Sequence, residues 1–150
     1  MYDLYCGVGL IGLYLAGQAR TVFGVESDPQ NVEAAERSAA LNGLSNATFL
    51  CGKAEDLLKG KALFRMGAPP DRLILDPPRV GLHKEIFGPL LEAAPPKILY
   101  LSCNPSSLAH DLRIILERDP SYRIGSLQMF DFFPHTPHME VLAALSRSAI

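Results

Sequence analysis

Short apolar runs alternate along the chain with stretches that show a helical pattern of apolar and polar positions. Seven of these runs predict strands. They are Met1–Cys6, Thr21–Glu26, Ala47–Cys51, Arg72–Asp76, Lys97–Ser102, Tyr122–Phe132 and Val141–Leu145. Residues 73–75 and 98–101 are apolar at every position, which is typical of strands that helices cover on both faces. The order of the elements therefore predicts an α/β fold built on a mostly parallel sheet.

Residues 29–42 carry the clearest signals of a helix. Asp28 is a suitable N-cap, Pro29 takes the first helical position, and Gly43 stands just past the end. The apolar face of this helix consists of Val32, Ala35 and Ala39. We also expect two loops, at Gly67–Pro70 and Pro134–His138.

Length and composition favour a single domain, which we assign to residues 1–150. The chain is 48% hydrophobic and can bury one sizeable core. It has no apolar run of about 18 residues and no secretory signal, so we expect no membrane association and a cytoplasmic location. Because the first strand begins almost at Met1, we expect the domain to be a fragment that lacks an upstream region.

The charge balance argues against a self-sufficient nucleic-acid binder. The chain has 14 basic and 16 acidic residues and a formal net charge of −2, whereas such binders usually present a basic face to phosphate. If RNA is a partner, we expect other parts of the protein to hold it. The three cysteines, Cys6, Cys51 and Cys103, fit neither a disulfide framework nor a zinc pattern, so we expect free thiols.

A glycine-rich segment, Gly7–Gly12, follows the first predicted strand and opens a helix. Gly7 and Gly9 can form a tight turn that lets a ligand lie against bare backbone. Glu26 ends the second strand, where a carboxylate can accept hydrogen bonds from ribose hydroxyls. This combination predicts a nucleoside cofactor, and it suits NAD and S-adenosylmethionine equally.

The segment from Asp76 to Arg79 reads Asp-Pro-Pro-Arg and follows the fourth strand. Two prolines stiffen the chain there and place the Asp76 carboxylate at the rim of the sheet where open α/β folds bind ligands. Asp76 can also simply cap this loop. Amino-group methyltransferases carry an aromatic residue at the position of Arg79.

Cys103 is the best placed of the three thiols to act as a nucleophile. It lies in Ser102–Pro105, which ends the fifth strand and precedes a helix that we expect to be opened by Ser106 and Ser107. The positive end of a helix dipole favours a thiolate at such a position. Cys51 also ends a strand, but a single glycine and then residues 53–56 (KAED) follow it, and Cys6 lies inside the glycine loop.

The segment from Phe130 to Glu140 combines aromatics, prolines and histidines before the last strand. If that strand is antiparallel, Glu140 lies at the same rim as Asp76 and Cys103. We expect no metal site at His135 and His138, because no third ligand is near. Of Phe130, Phe132 and Phe133, we expect at least two to pack in the core, although all three can line a pocket.

Four segments in this order closely resemble the RNA uridine C5-methyltransferase family, which includes the tRNA and 23S ribosomal RNA 5-methyluridine enzymes. They are residues 3–9 (DLYCGVG), 75–79 (LDPPR), 101–105 (LSCNP) and 133–140 (FPHTPHME). The resemblance implies a Rossmann-like class I methyltransferase sheet, mostly parallel with an antiparallel last strand. It also implies S-adenosylmethionine as cofactor and a tRNA or ribosomal RNA as partner.

The same resemblance implies individual roles. Cys103 looks like the nucleophile, Glu140 looks like the base, and the cofactor would contact Tyr5, Glu26 and Asp76 beside the glycine loop. Family members often have Asn where this chain has Leu10. They also carry an upstream OB-type RNA-binding domain, with an iron–sulfur cluster in some ribosomal RNA members.

Three alternatives stay open at the level of sequence. An NAD-dependent oxidoreductase is compatible with Gly7–Gly12 and Glu26, but it gives no role to Ser102–Pro105. A non-catalytic RNA-binding or assembly module is opposed by the net charge. An amino-group methyltransferase is opposed by Arg79.

Overall fold

A computed structural model of the chain describes residues 1–59, 69–132, 134–136 and 139–148. The described strands form one seven-stranded sheet in the order β3-β2-β1-β4-β5-β7-β6. They are β1 (Tyr2–Leu4), β2 (Val22–Glu26), β3 (Ala47–Cys51), β4 (Arg72–Leu75), β5 (Lys97–Ser102), β6 (Tyr122–Phe130) and β7 (Glu140–Arg147). The pairs among β1 to β5 are parallel, whereas β7 is antiparallel to both β5 and β6. The predicted α/β architecture with an antiparallel last strand is therefore confirmed.

Helices pack on both faces of this sheet. They are α1 (Leu10–Leu15), α2 (Pro29–Leu41), α3 (Ala54–Lys59), α4 (Phe87–Ala93) and α5 (Pro105–Arg118), with 3-10 turns at Ala16–Gln18 and Lys84–Ile86. Tyr2 and Leu4 belong to the larger buried cluster, while Asp3 between them contacts Gly12 of α1 on the opposite face. This two-sided coverage explains why residues 73–75 are apolar without alternation, since all three are buried.

The helix predicted at residues 29–42 is confirmed as α2. The Asp28 side chain accepts a hydrogen bond from the Gln30 amide at 2.8 Å, and Pro29 takes the first position. Gly43 follows the helix with φ of 66°. The predicted apolar face is buried, with Val32, Ala35 and Ala39 packed beside Phe49 of β3.

Several predicted boundaries differ from the observed ones. β1 ends at Leu4 because Tyr5 adopts a left-handed conformation with φ of 62°, which interrupts the extended chain. β6 ends at Phe130 rather than Phe132, and β7 extends from Glu140 to Arg147. Residues 69, 70 and 134–136 lie outside helices and strands, as expected, whereas 67, 68, 137 and 138 fall outside the described residues.

The start of α5 also corrects the sequence prediction. Asn104 is its N-cap, accepting a hydrogen bond from the Ser106 amide at 3.1 Å, and Pro105 takes the first helical position. The Ser107 hydroxyl donates instead to the Asn104 carbonyl at 3.0 Å. Asparagine followed by proline is thus the helix signal here, rather than the pair of serines.

The sheet order creates a crevice beside β1. From β1 the chain moves to β2 and β3 on one side, and it returns to β4 on the other. Open α/β sheets bind ligands outside the carboxyl ends of their strands at such a reversal. Across the ranges that are described, no helix has the length and apolar character needed to cross a lipid bilayer.

Candidate active site

The glycine loop joins β1 to α1. Gly7 and Gly9 have φ of 53° and 78°, values that favour glycine. A Cβ on Gly9 would lie 2.8 Å from the Phe49 ring and 3.0 Å from Ala35 Cβ, whereas a Cβ on Gly7 would meet nothing within 4 Å. The missing side chain at Gly9 therefore serves close packing against α2 and β3, while Gly7 leaves open space at the crevice.

Asp3 is a buried acid that the sequence analysis did not single out. Its Oδ2 accepts a hydrogen bond from the Gly12 amide at 2.8 Å, while its buried Oδ1 has no partner among the described residues. Burial raises the pKa of Asp3 to about 7, opposed by the Gly12 amide and reinforced by the charge of Asp76. The signal in the sequence was an acid inside an apolar strand directly before the glycine loop.

Replacing Asp3 with Asn is expected to flatten the pH profile of stability. The folded-state pKa of about 7 lies above the ordinary value of 3.8, so the folded chain binds more protons between these pH values. The free energy of unfolding of the wild type therefore falls as pH rises through this range, by up to about 4 kcal/mol. Asparagine keeps an acceptor for the Gly12 amide but does not titrate. Calorimetric Tm values at pH 5 and pH 8 test this, and parallel profiles for the two proteins would contradict it.

Glu26, at the end of β2, is held by four hydrogen bonds. Its Oε1 accepts from the Ser27 amide and hydroxyl and from the Asp28 amide, at 2.7 to 3.1 Å. Its Oε2 accepts from the Gly7 amide at 3.0 Å. These bonds fix the carboxylate beside the glycine loop, and Oε2, with one partner, retains capacity for a further donor.

A cleft of about 760 Å³ opens at the carboxyl ends of β1, β2 and β4. Three of the residues that the resemblance assigns to the cofactor, Tyr5, Glu26 and Asp76, line it. Gly7 and Gly9 lie in the turn that follows β1. Its other charged or titratable side chains are Lys53, Glu55, His83 and Lys84. The volume falls within the range of pockets that enclose small ligands and cofactors.

Tyr5 is the aromatic side chain of this cleft. Its hydroxyl oxygen is buried and has no hydrogen-bond partner in the part of the chain that the structure describes. Burial raises the pKa of this hydroxyl, the charge of Glu55 raises it further, and the nearby His83 backbone amide opposes both without forming a well-aligned hydrogen bond. A buried polar atom without a partner is rare, so the Tyr5 hydroxyl is a site at which a ligand can supply a hydrogen bond.

Asp76 and Glu140 lie close enough to interact at the rim of the sheet. Burial raises the pKa of Asp76, and the charge of Glu140 raises it further. Val141 of β7 lies opposite Ser102, the last residue of β5. Glu140 directly precedes Val141 and Cys103 directly follows Ser102, so these two residues lie side by side at the ends of neighbouring strands. The antiparallel direction of β7 thus brings all three predicted residues to one rim.

Cys103 is half-buried between the end of β5 and the start of α5. The Asn104 amide donates to the Ser102 hydroxyl at 3.1 Å, and that hydroxyl donates to the Asn104 carbonyl at 3.0 Å. These bonds fix the backbone on either side of the thiol. The other free thiols differ, since Cys51 is exposed and burial beside Asp3 and Glu26 raises the pKa of Cys6 to about 12.

The aromatic residues near Glu140 correct one expectation. Phe130 and Phe132 are both exposed, and their rings stack with centroids 5.7 Å apart. The prediction that at least two of the three phenylalanines pack in the core is therefore wrong. Phe130 lies on the edge strand β6 and Phe132 lies just beyond it, so both face solvent. Phe133 falls outside the described residues.

The histidines of this segment provide no test of the metal prediction. His135 is exposed, and His138 lies outside the described residues. Within the described ranges, no group of three or more His, Cys, Asp or Glu side chains is arranged to hold a metal ion. That no metal is bound stays a prediction.

Comparisons with known proteins place this geometry in context. The profile of the family described as tRNA (Uracil-5-)-methyltransferase matches residues 1–148. A protein of Nitratidesulfovibrio vulgaris named an uncharacterized RNA methyltransferase is 39% identical over 151 residues, covering 100% of this chain and 32% of its own length. One from Enterococcus faecalis with the same name is 42% identical over 146 residues, covering 97% and 31%. The chain thus spans about a third of the length of these relatives.

Solved structures agree in fold. The Pyrococcus abyssi tRNA (uracil-54, C5)-methyltransferase in complex with S-adenosyl-L-homocysteine superposes with a TM-score of 0.81 at 34% identity, covering 96% of this chain and 33% of that one. A ribosomal RNA methylase of Streptococcus thermophilus superposes with a TM-score of 0.70 at 14% identity, covering 99% and 86%. The second likeness supports the fold alone.

Proposed function

The chain belongs to the tRNA (uracil-5-)-methyltransferase family, and from that premise we propose that it transfers a methyl group from S-adenosylmethionine to C5 of a uridine in tRNA or ribosomal RNA. The observation that carries the proposal is the meeting of Asp76, Cys103 and Glu140 at one rim of the sheet, where Asp76 also lines the ligand-sized cleft. An oxidoreductase would leave Cys103 and Glu140 without a role.

The cleft suits the cofactor in size and in chemistry. Glu26 Oε2 has capacity to accept from a ribose hydroxyl, and the buried Tyr5 hydroxyl forms no well-aligned hydrogen bond with any described residue. Gly7, Gly9 and Asp76 would complete the contacts around it. Bound there, S-adenosylmethionine supplies an electrophilic methyl group on a sulfonium centre.

The rim residues supply the remaining chemistry. C5 of uracil is a weak nucleophile, so the Cys103 thiolate adds to C6, and the electron pair of the C5–C6 bond moves towards C5 and the C4 carbonyl. Once C5 carries the methyl group, Glu140 removes the C5 proton. The electrons of that C–H bond then re-form the C5–C6 double bond, and the thiolate leaves. The reacting atoms are inaccessible within an RNA helix, so the uridine must be unstacked.

RNA is proposed to be held mainly by parts of the protein beyond these 150 residues. The net charge of −2 gives this domain little general attraction for phosphate. We also propose a cytoplasmic location, because Cys6, Cys51 and Cys103 are free thiols, as is typical of a reducing compartment.

Trapping with 5-fluorouridine tests the proposed function directly. Fluorine at C5 cannot leave as a proton does, so RNA carrying it should remain attached to Cys103 after methyl transfer. Mass spectrometry of the full-length protein mixed with this RNA and S-adenosylmethionine should find the adduct on the peptide that contains Cys103. Absence of any adduct with an RNA that the protein methylates would reject the covalent route.

Glu26→Ala is expected to weaken S-adenosylhomocysteine binding by about 1–3 kcal/mol, because charge-assisted hydrogen bonds to ribose hydroxyls are lost. Calorimetry measures the Kd. Glu33→Ala is a matched control, since Glu33 is an exposed acid on α2 that pairs with Arg37 away from the cleft. An unchanged Kd for Glu26→Ala, or an equal loss in the control, would remove Glu26 from the proposed site.

A further inference from the structure

Asp111 is a buried carboxylate that the proposed chemistry does not use. It lies on α5 and is 2% exposed. Its Oδ2 accepts two short hydrogen bonds, from the Tyr100 hydroxyl of β5 at 2.6 Å and from the Leu82 amide at 2.8 Å. Leu82 belongs to the wall of the cleft. A single oxygen atom of Asp111 therefore links α5 to Tyr100 of β5 and to Leu82 in the cleft wall.

The backbone of the cleft wall lies directly against this carboxylate. Gly81 has φ of 88°, and a Cβ there would lie 2.6 Å from Asp111 Oδ2 and 3.1 Å from Ser107 Cβ. Only a residue without a side chain allows so close an approach. Burial and the bond to Asp111 both raise the pKa of Tyr100, which keeps its hydroxyl protonated and donating.

The same helix fastens the wall at a second point. The Asn104 side-chain amide donates to the Arg79 carbonyl at 3.0 Å. The Ser107 hydroxyl lies 3.2 Å from the same carbonyl and shares its one proton between it and the Asn104 carbonyl. Residues 104, 107 and 111 follow the spacing of one helix face. One face of α5 and its N-cap thus hold the stretch from Arg79 to Leu82 within the cleft wall, and the helix begins directly after the Cys103–Asn104 pair.

We propose that Asp111 is a positioning residue that fixes the Asp76–His83 wall of the cleft relative to Cys103. This inference rests on the proposed function in one respect, namely that the cleft holds S-adenosylmethionine. The wall carries Asp76, Pro78 and Leu82, so its displacement changes the shape of the cofactor site without touching the nucleophile. Asp111 acts through the backbone of the wall and contacts neither substrate nor cofactor.

The test compares Asp111→Ala, Asp111→Asn and Tyr100→Phe in the full-length protein. Asp111→Ala removes both hydrogen bonds, so amide exchange at Leu82 should accelerate and the Kd for S-adenosylhomocysteine should rise, each by roughly tenfold or more. Asp111→Asn keeps a carbonyl oxygen that accepts both bonds and should restore most of the affinity. Tyr100→Phe keeps the bond to Leu82, so its Kd should stay within about twofold of wild type even where its Tm falls.

The outcomes separate positioning from general stability. Unchanged Leu82 exchange and unchanged Kd in Asp111→Ala would overturn the proposal, and so would an equal loss of affinity in Tyr100→Phe. If Asp111→Ala does not fold, Asp111→Leu takes its place, because it fills the buried position and likewise removes both hydrogen bonds. The same rise in Leu82 exchange and in Kd is expected, and wild-type values would contradict the proposal. If the wild type binds no S-adenosylhomocysteine, the proposed function fails, while Leu82 exchange still decides whether Asp111 holds the wall.

Discussion

Cys103→Ala is expected to abolish methylation, lowering the rate by roughly three orders of magnitude or more, because C5 of uracil is not activated without addition at C6. The variant should bind S-adenosylhomocysteine with nearly the wild-type Kd, since the residues that line the cleft are unchanged. Transfer of a labelled methyl group to RNA and calorimetry on the same preparation measure the two effects.

Cys51→Ala is the matched control, because Cys51 is an exposed thiol at the end of β3 and the same atoms are removed. Its methylation rate should equal that of the wild type. Normal methylation by Cys103→Ala would end its assignment as nucleophile. Loss of cofactor binding in that variant would mean that Cys103 supports the cleft instead.

Glu140→Gln should trap the reaction after methyl transfer rather than prevent it. Addition by Cys103 and methyl transfer need only the thiolate, the uracil ring and the sulfonium held in line. Release of the thiolate also needs the C5 proton to be removed. Glutamine has nearly the same shape but cannot accept that proton. The methylated RNA should stay bonded to the protein and migrate on a denaturing gel as a slow band that carries the labelled methyl group.

A double variant, Cys103→Ala with Glu140→Gln, should show no such band, which ties the bond to the thiol. Turnover by Glu140→Gln at a near-normal rate would show that another group removes the proton. If the variant binds RNA but forms no adduct, Glu140 is not the group that removes the proton, and the 133–140 segment is better explained as a structural cap on the pocket.

Local signals were sufficient to predict the elements that frame the cleft. Asp28, Pro29 and Gly43 mark the ends of α2 because capping and turn conformations depend on a few adjacent residues. The apolar strands and the intervening helices likewise predicted the sheet. The meeting of Cys103 with Glu140 required one further assumption, the antiparallel direction of the last strand, and the pairing of β5 with β7 confirms that direction.

The contacts that shape the site could not be predicted in the same way. Asp111 lies 29 residues from Leu82 and 11 from Tyr100, and neither spacing carries a signal in the sequence. Asp3 has its partner on the next helix, at Gly12. Phe130 was misassigned because an aromatic residue in a strand pattern favours burial, whereas strand order decides whether its strand lies at an edge.

The insertion of β7 between β5 and β6 has a consequence for biosynthesis. The residues that line the cleft lie between positions 5 and 84, and the proposed nucleophile follows at Cys103, but Glu140 stands on β7, which is translated after the other described strands. β7 must then enter the sheet between two strands that were made before it. A nascent chain therefore contains the residues that line the cleft before it contains Glu140, and Glu140 can meet Asp76 and Cys103 only after β7 has been made and has entered the sheet.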